Sequence, residues 1–166
     1  GEARLLAAQL LQSFGQFDLA EQEFDALRDL GEMRPIAELS RIDALARAER
    51  LNDAEKAALS LTATHPDLAQ GWIALGDLLR QQEKFAQAIP AYDKALSLIG
   101  DRSPEIRWFP LYARGISLER AGQFPKAESD FRAALQIRPE SAQVLNYLGY
   151  SLVDRNENLD EALRLI

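Results

Sequence analysis

Along the chain, apolar residues recur at spacings of three and four, the period that keeps them on one face of a helix. Nothing alternates over a useful length as a strand requires. Short turns interrupt the pattern, so it predicts pairs of helices rather than a few long rods. Gly15 and Gly122 stand where helix C-caps are expected, and Pro125 fits the first turn of the helix that follows. Pro66 and Pro139 stop second helices, whereas Pro90 lies slightly deeper in one and predicts a local distortion.

The helical pattern repeats. Ala20, Ala54 and Ala88 are spaced 34 apart, and allowing for two slips the column continues through Ala127 and Ala162. Four places later a large residue recurs as Phe24, Tyr92 and Phe131, with Ala58 as the weak member and Ile166 at the chain end. A leucine column, Leu11, Leu45, Leu79, Leu118 and Leu152, has no exception. A small-residue column reads Ala8, Ile42, Gly76, Gly115 and Gly149, and an apolar column between the halves reads Phe17, Leu51, Phe85, Phe124 and Leu159. The units are then 1–34, 35–68, 69–107, 108–141 and an incomplete fifth, 142–166.

Both slips are expected between helices, where insertions cost least. One residue is added in "DRNENLD", and five near "GDRSPEIRW". In the longer insertion, Ser103 and Pro104 are set to start a short helix and Pro110 the main one, with Trp108 and Phe109 at the junction. Two roles stand for these rings: capping a binding groove, or plugging the gap made by the insertion.

Composition narrows the function. Hydrophobic residues make up 47% and charged residues 27% of 166, a globular balance. The net charge of −7 argues against a phosphate-backbone binder, so nucleic acid is not an expected partner. No run approaches a membrane span and no opening segment reads as a signal peptide, which predicts a soluble chain without membrane insertion, cytoplasmic or periplasmic. With no cysteine, disulfides, zinc–thiolate sites and cysteine nucleophiles are absent.

Little in the sequence can build an active site, so a non-catalytic chain without cofactor or metal is expected. The single histidine, His65, ends a helix beside Pro66, where the helix dipole accounts for it. Asp154, Asn156 and Asn158 imitate the start of a calcium loop, but Leu159 and Leu165 stand where its glycine and closing glutamate belong, so the segment reads as a turn. "ALGDLL", "ARGISL" and "YLGYSL" each hold one glycine within a helix, which is not a phosphate loop.

These columns resemble the tetratricopeptide repeat. The likeness is clearest in "WIALGDLLRQQEKFAQAIPAYDKAL", through Trp72, Leu75, Gly76, Leu79, Ala88, Tyr92 and Ala95. It continues in "LYARGISLERAGQFPKAESDFRAALQIRP", through Gly115, Leu118, Ala127, Phe131, Ala134 and Pro139, and in "LNYLGYSL". Residues 1–68 match mainly through Leu11, Gly15, Ala20, Phe24, Ala54 and Pro66, and depart from the pattern at Arg41, Ile42 and Ala58. The resemblance implies an all-α, right-handed superhelical solenoid of antiparallel helix hairpins. A helical glycine costs about 1 kcal/mol relative to alanine, so close approach within a hairpin, Gly76 on Ala88 or Gly115 on Ala127, is the expected compensation.

The resemblance further implies a scaffold whose first helices line a concave groove for a partner's peptide or helix. Carried over, the groove side presents Asp43 and Arg47, Asp77 and Arg80, Tyr112, Ile116, Glu119 and Arg120, and Asn146, Tyr150 and Asp154. Tyr112 and Tyr150 are the expected anchors, against the alternative that both fill gaps between helices. Some family members hold a partner's C-terminal carboxylate with lysine and asparagine residues, but the matching places here carry Leu5, Gln9, Leu39, Asp43, Ile73, Asp77, Tyr112 and Ile116. The other functional reading is a structural or oligomerising spacer of a larger protein. Because "LDEALRLI" stops inside the helix that should complete the fifth hairpin, a piece of a longer chain is expected, with self-association through the open repeat as a further option.

Overall fold

The computed structural model describes residues 2–27, 34–101 and 103–166. The helices are α1 (Glu2–Ser13), α2 (Phe17–Leu27), α3 (Arg34–Arg47), α4 (Leu51–Thr64), α5 (Ala69–Gln81), α6 (Phe85–Ile99), α7 (Pro104–Arg120), α8 (Phe124–Ile137), α9 (Ala142–Asp154) and α10 (Leu159–Leu165). Among the described residues there is no strand. The chain divides into two compact units, Gly1–Leu78 and Leu79–Ile166.

The apolar column between the halves supplies the first residue of each second helix: Phe17, Leu51, Phe85, Phe124 and Leu159. The leucine column has a backbone role as well. The amides of Gln16, Arg50, Lys84, Gln123 and Glu157 donate to the carbonyls of Leu11, Leu45, Leu79, Leu118 and Leu152 at 2.8–3.0 Å. Each bond closes the turn after a first helix, and each turn holds one residue with positive φ: Gly15, Glu49, Glu83, Gly122 or Asn156. Glycine takes that conformation freely, whereas a residue with a Cβ pays roughly 1–2 kcal/mol. The extra residue in "DRNENLD" is Asn158, a left-handed residue just before α10, so the segment is the turn expected of it.

In the first unit, α1 packs on α2, α2 on α3, and α3 on α4. Ala8, Ala20, Phe24, Leu27, Ala37 and Ala44 form a buried cluster. Arg41 and Ile42, which depart from the repeat pattern, both find places. Arg41 donates to Glu21 on α2 at 2.6 Å. Ile42 and Ala58 are both buried, so the bulk that other hairpins carry on the second helix is carried here on the first.

In the second unit, α6 packs on α7, α7 on α8, α8 on α9, and α9 on α10. Its core centres on Leu118, Ala127, Phe131, Ala134, Val144, Leu148 and Leu152. A Cβ at Gly115 would lie 2.6 Å from the Phe131 ring, and one at Gly149 would lie 2.7 Å from Ile166. The expectation for Gly115 therefore needs correcting. Its nearest neighbour is the large residue four places after Ala127, and glycine makes room for that residue rather than for a close backbone approach.

Two further expectations change. The five-residue insertion does not produce a short helix followed by a main one, because α7 runs unbroken from Pro104 to Arg120 with Pro110 inside it. Pro110 lacks the N–H that would bond to Ile106, but the added turn has other support. Trp108 stacks on Tyr112, one helical turn later, and Arg107 donates to the Gly100 carbonyl at 2.6 Å. Helix α6 likewise continues through Pro90 to Ile99, so the expected distortion does not break it. Pro125 does lie in the first turn of α8, and Pro66 and Pro139 follow the ends of α4 and α8.

Candidate partner-binding surface

In the first unit the first helices α1 and α3 flank a hollow of about 460 Å³, lined by Gln9, Gln12, Ser13, Leu39, Asp43 and Arg47 among others. Its polar groups satisfy one another. Gln12 Nε2 donates to Asp43 Oδ2 at 2.5 Å, and Arg47 Nε donates to the same oxygen at 2.9 Å. Asp43 and Arg47 are exposed, as expected, but as a helical i,i+4 pair. Asp77, in the same unit, is half-buried.

The corresponding helices of the second unit, α7 and α9, present rings. Tyr112 stacks on Trp108 with centroids 5.5 Å apart and meets Tyr147 edge-on at 5.7 Å; Tyr147 in turn stacks on Phe131 at 5.9 Å. Burial raises the Tyr112 hydroxyl above its usual pKa, and nearby Tyr147 adds to this against the opposing charge of Arg80. Arg138 lies 4.3 Å from the Trp108 centroid and covers the outer face of the stack. Trp108 is thus packed beside the core, whereas Phe109 remains exposed.

Tyr150 is 56% exposed, and Tyr147 and Val153 flank it at 37% and 41%. The three occur at i, i+3 and i+6 and make one apolar strip on α9. Asn146 and Asp154 are exposed on the same helix. Ile116 must be withdrawn from the surface: it is 6% exposed and belongs to the core cluster, since its place on α7 faces inward beside Leu118. Arg80 is half-buried. Arg120 is exposed but turned onto the Phe85 ring, 4.9 Å from its centroid.

The structure therefore joins Tyr112 to Tyr147 rather than to Tyr150. Neither Tyr147 nor Val153 was among the expected contacts, although a signal existed. Tyr147 stands where the preceding repeats carry Ala113 and Ala74, and Val153 where they carry Glu119 and Arg80. A large ring where smaller residues stand, and an apolar residue where charged ones stand, both mark a change of surface chemistry, even though the counterpart Ala113 is buried.

The tetratricopeptide-repeat family model matches residues 5–67, 39–105 and 112–166, and the chain belongs to this family. It is 30% identical to the TPR repeat-containing protein PA4667 of Pseudomonas aeruginosa, over 89% of this chain and 26% of that protein. The chain thus spans about a quarter of that relative's length. Two solved structures show the same fold. MamA residues 41 to the end, from Desulfovibrio magneticus RS-1, has a TM-score of 0.84 at 15% identity, covering 99% of this chain and 89% of that one. YrrB, described as a TPR protein with an unusual peptide-binding site, has a TM-score of 0.77 at 19% identity, covering 98% and 80%. Family and fold are those of protein-interaction scaffolds. No helix among the described residues is long and apolar enough to cross a membrane.

Proposed function

We propose that the chain is a non-catalytic scaffold that receives a peptide or helix of a protein partner on its first-helix surfaces, with the α7 and α9 face of the second unit as the principal site. The observation that carries this reading is the exposed strip of Tyr147, Tyr150 and Val153 beside an ordered aromatic stack. Large rings already fixed by packing lose little freedom on binding, which makes them effective anchors. Asn146 adds an amide at the edge of the strip. On the first unit's own face, Asp43, Arg47 and Asp77 supply polar contacts, and Arg80 and Arg120 do so on the second.

The test is a pull-down with wild type, Tyr150→Ala and Tyr112→Ala/Tyr150→Ala, with thermal melts beside each. Loss of both rings should remove roughly 2–4 kcal/mol of binding. Tyr150→Ala should leave the melt nearly unchanged because its ring is exposed, whereas the double variant also loses the stack on Trp108. Lys126→Ala, exposed on α8 and bonded only locally to Gln123, is the control. Glu128 is unsuitable, because it pairs with Arg132 and Arg155. If partners remain bound to the tyrosine variants and are lost from the Lys126 control, the assignment of the face is wrong.

A further inference from the structure

The first helices meet the preceding second helices through one face. Arg41 on α3 reaches Glu21 on α2 at 2.6 Å, Arg114 on α7 reaches Asp93 on α6 at 2.6 Å, and Arg155, just after α9, reaches Glu128 on α8 at 3.1 Å. Around α9 this face runs through Val144, Leu148, Ser151 and Arg155, at spacings of four, three and four. Its counterpart on α1 is Ala3, Ala7, Leu10 and Phe14. Later first helices bury the face, and Ala44, Ser117 and Ser151 are at most 4% exposed. Leu10 at the same place is 51% exposed, and Phe14 is 77% exposed. A contiguous apolar surface of this kind marks an interaction site.

The chemistry of the face on α1 says what can cover it. Where α3, α7 and α9 set Arg41, Arg114 and Arg155 against acidic residues, α1 has Ala7 and Phe14. The second helices α2, α4 and α8 carry Glu21, Glu55 and Glu128 at the position that faces those arginines. A helix of that kind laid on α1 would bury a carboxylate without a counter-charge. Helix α6 has Ile89 there, but Ile89 already packs against the second unit's core. On α10 the position belongs to Leu163, which is 75% exposed. Apolar residues thus replace both members of the Glu128 and Arg155 pair, the one on α10 and the other on α1.

We propose that α10 of a second copy of this chain seats on the exposed face of α1, with its Leu163 against Leu10 and Phe14. Copies then join second helix to first helix as the hairpins within one copy do. The joint is heterologous, since the two surfaces differ. It uses another face than the strip on α9 and does not rest on that strip's role. Burial of apolar surface drives it, and the net charge of −7 on each copy opposes it.

The test is sedimentation of the chain over a concentration series, in which the wild-type mass should rise above that of one copy. Phe14→Arg and Leu163→Glu should each weaken association roughly tenfold or more, because each buries a charge without a partner. Both side chains are mostly exposed within one copy, so the thermal melt at low concentration should stay the same. Phe14→Arg and Leu163→Glu combined in one chain should restore association, since the arginine of one copy then faces the glutamate of the next as Arg155 faces Glu128. A wild-type chain that stays a single copy at every concentration overturns the proposal, and so does a combined variant that associates no better than the single ones. Association lost with Phe14→Arg but kept with Leu163→Glu would show α1 pairing with α1, and overturns it as well.

Discussion

In the first unit Asp43 is held by Gln12 and Arg47, so the outward polar groups of α1 and α3 satisfy one another. In the second, the position equivalent to Asp43 carries Tyr150, which is 56% exposed, with Tyr147 and Val153 beside it. The same helical position thus gives a self-satisfied polar face in one unit and an exposed apolar one in the other. Burying the first would mean breaking hydrogen bonds already made, whereas the second has apolar surface to bury. Repeats that share a backbone need not share a function.

A second comparison concerns the core. The small-residue and large-residue columns vary together: Ala8 with Phe24, Gly76 with Tyr92, Gly115 with Phe131, but Ile42 with Ala58. The second hairpin reverses the bulk and keeps the volume, so the departures at Ile42 and Ala58 compensate each other.

The largest expected effect comes from breaking that pairing. Phe131→Ala should cost about 3–5 kcal/mol. Gly115→Ile should cost at least about 1–3 kcal/mol, because its Cβ alone meets the Phe131 ring at 2.6 Å. The double variant, which copies the arrangement of Ile42 and Ala58, should lose about 1–3 kcal/mol less than the two single costs added. Denaturant unfolding of the three variants measures the coupling; simple additivity would show that the two columns do not interact.

Next in size are the arginines at equivalent positions, Arg41 and Arg114. Arg114 donates to Asp130 at 2.7 Å twice and to Asp93 at 2.6 Å, and Asp130's side chain is only 7% exposed. Arg114→Met should cost about 2–3 kcal/mol by stranding that carboxylate, whereas Arg41→Met, whose partners are more exposed, should cost about 1 kcal/mol. Acid sharpens the contrast. Burial pushes the Glu21 carboxyl up, but hydrogen bonds and charge from Arg41 and Arg50 outweigh it and leave the pKa lowered. A lowered carboxylate contributes stability at pH above its ordinary value of about 4.3, and the contribution disappears as pH falls through the folded value. Arg41→Met should flatten the acid limb of the melting curve below about pH 4.3 by a fraction of a kcal/mol, given the exposure of the pair. An acid limb identical to wild type would show that Glu21 is not held by Arg41.

The smallest effect separates the turns. Glu49→Gly and Glu83→Gly relieve positive φ, and should each stabilise by a few tenths to about 1 kcal/mol. Gly122→Ala should destabilise by a similar amount. Thermal melts resolve these differences if the three variants are compared side by side, and destabilisation by both glycine substitutions would mean that the glutamate side chains contribute more than their backbones cost.

The periodicity of the apolar residues determined the helices, because a helix must place its buried residues at spacings of three and four whatever surrounds it. It also determined the repeat columns, since every hairpin needs the same inward residues, and the turns, since proline and glycine act through local geometry. What the tertiary structure decided depends on which side chain meets which. Gly115 serves Phe131 and not Ala127, Arg41 and Arg114 replace apolar residues by reaching acids on a neighbouring helix, and Ile116 turns inward from a position assigned to the surface. Pro110 stands inside α7, and around it Trp108 stacks on Tyr112 and Arg107 reaches Gly100. The difference between the two faces has the same origin: Asp43 and Tyr150 stand at the same place in their first helices, and Gln12 and Arg47 hold the aspartate whereas the ring is left exposed.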